Sequence, residues 1–294
     1  MTDQITRQKT ALVTGASSGI GFSTALEFQR RGYRTFACAR RLEPMVELER
    51  QGVTTFKMDV SDIDSVIKGK QFMMRETDGY LDVLFNNAGQ SCTFPAIDVT
   101  DEQFRQCFEV NVFGPIRLTR ELAPLLINAK GTVGFTGSVS GLIPFPFSSI
   151  YSSTKSAIHQ FAAVLRLELK PFDVKVINIV TGGVKTAIQD IRPLPESSIY
   201  NVPGIHESLE ERRAMAVKNK PMEPDVYAKK VVNDFEHATC DGRLNIYRGH
   251  MSTFLGYLLC WCPRFIVERA LIRKFRFVGI FNFLKEKYSK EKIE

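Results

Sequence analysis

Tyr151 and Lys155 stand four residues apart, so on a helix they share one face, one turn from each other. A phenol with a pKa near ~10 is too weak an acid to exchange protons at neutral pH. An ammonium held within a few ångströms favours the phenolate and brings that pKa down. The pair therefore suits a general acid/base working near pH 7. The run that follows (Ala157, Ile158, Phe161, Ala162, Val164, Leu165, Leu167) suits the helix this spacing requires. Taken alone, the pair reads more readily as a surface Tyr and Lys at a helix start, because this spacing often occurs by chance. Ser138, thirteen residues before Tyr151, ends a strand-like run from Thr132 to Thr136 and offers a second hydroxyl. Asn111 interrupts an apolar helical stretch, where an amide is either satisfied by a kink or functional.

A second group of residues suits a nucleotide. The apolar run Thr10–Thr14 leads into Gly15-Ala16-Ser17-Ser18-Gly19-Ile20-Gly21, and a helical pattern through Ala25, Leu26 and Phe28 follows. A glycine-rich turn between strand and helix lets a pyrophosphate approach the backbone and meet the helix N-terminus. Gly15, Ser17, Ser18, Ile20 and Gly21 are the expected contacts. The same turn spells Gly15-x-Ser17-x-Gly19, the nucleophile elbow of serine hydrolases. Against that reading stand its place on the first strand and the lack of an evident partner among His159, His206, His237 and His250.

The next strand-like run, Tyr33–Ala39, is followed by Arg40 and Arg41 and meets no acid before Glu43. An acid there would bond the ribose hydroxyls of NAD, whereas an Arg accepts a 2′-phosphate, so NADPH is the expected cofactor. Asp59, after the run Val53–Met58, either bonds the adenine amine or caps the helix that opens at Ser61. Asn86-Asn87-Ala88-Gly89, after Leu81–Phe85, either orders the backbone against a ribose through Asn87 or only makes a turn.

Strands alternating with helices continue through Val174–Val180, a helix over 225–236 and a last strand at Arg243–Tyr247. This predicts an α/β fold over residues 1–250. It is a single Rossmann-like, doubly wound parallel sheet of about seven strands with helices on both faces. From 187 to 224 periodicity fades and Pro recurs, which predicts a mobile segment over the substrate. At 294 residues, with 44% hydrophobic and 24% charged residues, the chain is globular. Six cysteines without C-x-x-C spacing imply reduced thiols, and four dispersed histidines give no metal site. Met1–Arg7 has no apolar core, so secretion is not expected. The net charge of +7 gathers toward the C-terminus.

There, 251–262 is nearly all apolar yet too short to span a bilayer, and beyond Pro263 aromatic and aliphatic residues interleave with Arg and Lys. Such a helical tail (251–294) suits the membrane interface, on the cytosolic face of the endoplasmic reticulum or on a lipid droplet. The lesser alternative is packing on the domain or on a second copy in a homodimer. Nothing points to a nucleic acid.

In order and spacing, Thr14-Gly15-x-x-x-Gly19-x-Gly21, Asn86-Asn87-Ala88-Gly89, Asn111, Ser138 and Tyr151-x-x-x-Lys155 resemble the short-chain dehydrogenase/reductase family, over roughly 8–250. The resemblance implies that Tyr151 is the proton donor and that Lys155 lowers its pKa and bonds the nicotinamide ribose. It further implies that Ser138 holds the substrate oxygen and that Asn111 anchors a water leading from Lys155. Val184 and Thr186 match positions that contact the carboxamide. Thr181-Gly182 replaces the usual Pro-Gly and puts the rigidity of that loop in question.

Residues 37–45, 86–95 and 181–201, together with the tail, look like a fungal branch of the family that reduces acylated dihydroxyacetone phosphate. This implies NADPH-dependent reduction of an acylated keto-phosphate to 1-acylglycerol 3-phosphate, with Lys185, Arg192 or Arg213 as candidates to meet the phosphate. Steroids, retinoids and 3-ketoacyl groups are the alternative ketones. A lipid-ester hydrolase using Ser17 is the alternative from another class.

Overall fold

The computed structural model describes residues 7–290. Met1–Thr6, on which the expectation about secretion mostly rests, and the last four tail residues lie outside them. The strands are β1 (Thr10–Thr14), β2 (Arg34–Ala39), β3 (Thr54–Lys57), β4 (Val83–Asn86), β5 (Thr132–Ser138), β6 (Lys175–Thr181) and β7 (Asn245–Arg248). They form one parallel seven-stranded sheet in the order β3-β2-β1-β4-β5-β6-β7. The first helices are α1 (Gly19–Arg30), α2 (Val46–Arg50), α3 (Ile63–Glu76), α4 (Asp101–Phe108), α5 (Gly114–Ala129) and α6 (Ser149–Leu169). After them come α7 (Ile205–Arg213), α8 (Met215–Lys218), α9 (Pro224–Glu236), α10 (Ser252–Trp261), α11 (Arg264–Lys274) and α12 (Phe277–Lys290).

The central strands read as unbroken apolar runs because helices cover both faces of the sheet. Successive residues of β1 divide between the two cores. Leu12 packs with Phe36, Leu84, Val133 and Ile158 on one face, and Ala11 and Val13 pack with Phe28, Phe85, Tyr227 and Phe235 on the other. Strand order reverses beside β1, so the loops at the carboxyl ends of β1 and β4 part and leave a crevice, the usual ligand position in such sheets.

Two segments are more closely packed than their sequence announces. The segment 187–224 is partly helical, and Leu194, Val202, Ile205 and Leu209 are buried in a third core. That core also takes Val267, Leu271, Phe275, Phe277 and Ile280 from the tail, so α11 and α12 close over the loop at 139–147 and over α7. Burying a Val, Leu, Ile or Phe side chain stabilises by about 1.5–3 kcal/mol, so these five residues hold the tail to the domain. The tail is a third layer of the fold, packed over one end of the crevice.

Candidate active site

The crevice has a volume of about 800 Å³ and runs along the carboxyl ends of β1, β4, β5 and β6. Gly15, Ser17, Ser18 and Ile20 line one end of it. Gly15 adopts φ +65°, and a Cβ there would lie 2.7 Å from the Ala88 Cα, so this position needs glycine. Gly21 does not line the crevice. A Cβ on it would meet the Gly15 carbonyl and the Asn87 amide, so its work is to let α1 pack closely against the turn. Ser18, at the start of α1, makes no side-chain cap, which leaves the first-turn N–H groups without a side-chain partner.

Arg40 lines the crevice and has no hydrogen-bond or ion-pair partner among the described residues, whereas Arg41 is not on its wall. Asp59 lines it too, but its Oδ1 already accepts from the Ser61 N–H at 2.9 Å and the Ser61 hydroxyl at 2.6 Å. Asn87 donates to the Thr14 carbonyl at 3.0 Å and accepts from the Thr136 hydroxyl at 3.1 Å, which ties β4 to both neighbouring strands. A glycine cradle, an uncapped helix start and an unpaired guanidinium together fit a dinucleotide with an extra phosphate.

Tyr151, Ser138 and Lys155 converge at the middle of the crevice. Tyr151 sits in the first turn of α6, with the Ser138 side chain at the end of β5 near enough to favour its phenolate. Burial pushes the phenol up to about 12, more than the Ser138 side chain pulls it down. Lys155, 4% exposed, donates to the Thr136 carbonyl at 2.7 Å, with its Nζ 5.6 Å from the centre of the Tyr151 ring. Burial lowers its pKa to about 8. The Ser138 side chain and the Arg212 charge favour the phenolate, and burial outweighs both. Helical spacing reports proximity but not desolvation, and desolvation is the larger effect here.

Asn111 lies behind the crevice, 1% exposed, in a π-helical turn (Glu109–Phe113) between α4 and α5. Its Nδ2 donates to the Gln90 carbonyl at 2.9 Å and the Thr154 hydroxyl at 3.0 Å, and its Oδ1 accepts from the Gln90 N–H at 2.8 Å. The helix is interrupted and the amide is saturated, so Asn111 clamps the 87–90 turn to α6. Such single π-turns often mark functional sites.

His159, weighed in the sequence only as a hydrolase partner, occupies the next turn of α6 after Lys155. Its Nε2 accepts from the Ser138 N–H at 3.1 Å, which requires the neutral ring with its proton on Nδ1. Burial, aided by the Lys155 charge, pulls its pKa to about 4, so it holds β5 in place as a neutral acceptor. The spacing 151, 155, 159 along one face was the available signal.

The Thr181-Gly182 loop is tethered without proline. The Thr181 and Tyr227 hydroxyls bond at 2.6 Å, Gly182 N–H donates to the Arg248 carbonyl at 2.8 Å, and Gly183 pairs with His250 at 2.9 Å in both directions. Val184 and Thr186 beyond it line the crevice. Of the phosphate candidates, Lys185 pairs with Glu223 at 3.2 Å and Arg192 is forked onto Asp190 at 2.9 and 2.7 Å, both off the crevice wall. Arg213 is on it. Ser17 has no hydrogen bond to a histidine or an acid among the described residues, so the elbow lacks a base. Those residues also hold no cluster of metal ligands.

A parallel sheet with a dinucleotide-type glycine turn, and a Ser–Tyr–Lys set at its carboxyl edge, has the makeup of a nicotinamide-nucleotide oxidoreductase. The family model described as short chain dehydrogenase matches residues 9–194. The chain belongs to the short-chain dehydrogenase/reductase family. It is 48% identical over 285 residues to the NADPH-dependent 1-acyldihydroxyacetone phosphate reductase of Saccharomyces cerevisiae, covering 95% of each chain. The Schizosaccharomyces pombe protein of the same name is 41% identical over 202 residues, 66% of this chain and 68% of its own. Among solved structures, a short-chain dehydrogenase from Streptomyces avermitilis superposes with a TM-score of 0.75 at 27% identity, over 93% of this chain and 97% of that one.

Proposed function

We propose that the chain is an NADPH-dependent reductase of 1-acyldihydroxyacetone phosphate, forming 1-acylglycerol 3-phosphate for glycerolipid synthesis. The observation that carries this reading is 48% identity along 95% of both chains to a yeast reductase of that name, joined to an intact Ser138, Tyr151 and Lys155 set. When bound, NADPH supplies the hydride for the ketone carbon. The Ser138 and Tyr151 hydroxyls hydrogen-bond the carbonyl oxygen and hold the charge that develops there. With its pKa at about 12, Tyr151 stays protonated at neutral pH and passes its proton to the far more basic alkoxide. Lys155, fixed on Thr136, steadies the phenolate left behind and keeps N–H groups for the nicotinamide ribose. Gly15, Ser17, Ser18 and Ile20 hold the pyrophosphate, Asn87 the adjoining ribose turn, and Val184 and Thr186 the carboxamide.

The test is NADPH oxidation by the purified chain with 1-acyldihydroxyacetone phosphate, a steroid ketone, retinal and a 3-ketoacyl thioester. The highest kcat/KM is expected with the first, and a higher value with any other ketone removes this reading.

Arg40 is assigned the 2′-phosphate. An Arg–phosphate hydrogen bond between charged groups contributes about 1.5–3 kcal/mol. Arg40→Ala is therefore expected to raise the KM for NADPH roughly 10- to 100-fold and to leave that for NADH nearly unchanged. An equal change for both cofactors would deny Arg40 the phosphate.

The same reading places the chain on the cytosolic surface of the endoplasmic reticulum or a lipid droplet through the outward face of the tail. No helix among the described residues is long and apolar enough to cross a membrane. Yet Phe254, Tyr257, Trp261 (86% exposed), Phe265 and Ile266 face outward on α10 and α11, beside Arg264, Arg269 and Arg273. A chain ending near His250 would also lose the third core, so point changes test this cleanly. Phe254→Ser with Trp261→Ser should cut flotation with anionic lipid vesicles several-fold at unchanged Tm; undiminished flotation would refute the anchor.

A further inference from the structure

The reaction as described uses no residue of α7, yet α7 brings two guanidinium groups to the crevice wall. Arg212 is 7% exposed, and no carboxylate pairs with it among the described residues. Its Nε donates to the Pro146 carbonyl at 3.0 Å and its Nη2 to the Ser148 hydroxyl, while Nη1 has no hydrogen-bond partner among those residues. The Phe145 and Phe275 rings lie 5.2 and 5.7 Å from its Cζ and hold the fork. Burial pulls its pKa down to about 10, the mark of a cation short of counter-charge.

Arg213, half-buried beside it, donates through Nη2 to the Arg192 carbonyl, and its Nε is buried without a partner. Asp190, the acid on the crevice wall nearby, favours the Arg213 charge less than burial opposes it, and its oxygens are already engaged. Its Oδ1 accepts from the Arg192 N–H and Nε, and its Oδ2 from Arg192 Nη2 and the Thr93 N–H. Lys274 of α11 and Lys218 and Lys220 line the same end of the crevice. A buried guanidinium without an acid costs free energy unless an anion meets it.

We propose that Arg212 and Arg213 form the anion subsite of the substrate pocket, binding the phosphate monoester of the ketone while its carbonyl lies between Ser138 and Tyr151. This rests on the reading of the substrate as an acylated keto-phosphate and names the residues that select it. A phosphate monoester dianion offers several acceptor oxygens to donors fixed in fork geometry, which suits arginine better than lysine. Electrostatics adds a second consequence. Arg212 is near enough to Tyr151 to favour its phenolate, so an anion bound there offsets that pull and keeps the phenol protonated for donation. Phe275 and Lys274 come from the tail, so the tail helps build the subsite as well as covering it.

The experiment compares kcat/KM for 1-acyldihydroxyacetone phosphate with that for the same ketone without its phosphate, in the full chain. The parent should prefer the phosphorylated ketone. Arg213→Gln should collapse that preference roughly 10- to 100-fold, with the loss concentrated on the phosphorylated ketone. Arg212→Lys, which keeps the charge and loses the fork, should lower it as well. Arg212 is wedged between rings, so its variants are read only alongside a Tm matching the parent, and Arg213→Gln alone decides the matter if they fail to fold. Equal losses on both ketones in Arg213→Gln, or no loss, overturn the subsite. If the parent reduces neither ketone, the substrate reading falls and the subsite is judged separately. In saturating NADP+, millimolar inorganic phosphate should then raise the Tm of the parent but not of Arg213→Gln, and equal shifts would overturn it.

Discussion

Tyr151→Phe is expected to lower kcat for ketone reduction about 10³-fold and to leave NADPH affinity within a few-fold of the parent. Proton donation by a positioned side chain contributes typically ~10²–10⁴-fold, and Ser138 is the other hydroxyl at this point of the crevice. The ring is kept and a single hydroxyl is lost, so the helix start and the crevice wall persist. Activity and binding must therefore separate: steady-state NADPH oxidation collapses while a fluorescence titration of NADPH does not. A variant that keeps more than about a tenth of the parent kcat would move the proton to another donor. The pH profile carries a second check. With the phenol at about 12, Tyr151 stays protonated through neutrality, so an alkaline loss of reductase activity beginning near pH 8 belongs to Lys155.

The sheet was legible because buried parallel strands announce themselves as apolar runs. Expected and observed strands agree to within a residue or two, from Thr10–Thr14 to Asn245–Arg248. The turn residues were legible for a similar reason, since each glycine or amide sits directly after such a run. What sequence could not give was burial. The buried face of α7 holds only Ile205 and Leu209 as apolar residues, with Ser208 and Arg212 completing it, so the helix has no amphipathic signature and 187–224 reads as loop. In the tail, Val267, Leu271 and Phe275 turn inward while Phe254, Trp261 and Phe265 turn outward. With apolar residues on both sides, composition cannot tell which of them pack on the domain and which stay exposed. The same limit applies to the site. Spacing brings Tyr151 and Lys155 together, but the neutral His159, the unpaired Arg212 and the raised phenol depend on what surrounds them.

Lys155→Met is expected to make the protein more stable at pH 7 while abolishing reduction. Burial lowers the Lys155 pKa from 10.5 to about 8, so the folded state holds its ammonium less readily than the unfolded chain does. Below about pH 8 the group is charged in both states and the full cost of burying the charge is present. Between about 8 and 10.5 the unfolded chain binds more protons, so stability rises with pH; above 10.5 the cost has gone. A depression of this size corresponds to about 3 kcal/mol. Methionine also forfeits the bond to the Thr136 carbonyl, about 1 kcal/mol, so the net gain at pH 7 is about 1–2 kcal/mol. Urea denaturation at pH 7 and again near pH 10 measures it. The advantage of Lys155→Met should be largest at pH 7 and vanish or reverse at the higher pH, where the parent lysine is neutral and still hydrogen-bonded. A variant less stable than the parent at pH 7, or one whose advantage is the same at both, would mean that the ammonium is not held at a cost. An ammonium buried on Thr136 beside a half-buried phenol lowers stability where it sits, and the proton transfer it supports is the reason such an arrangement persists.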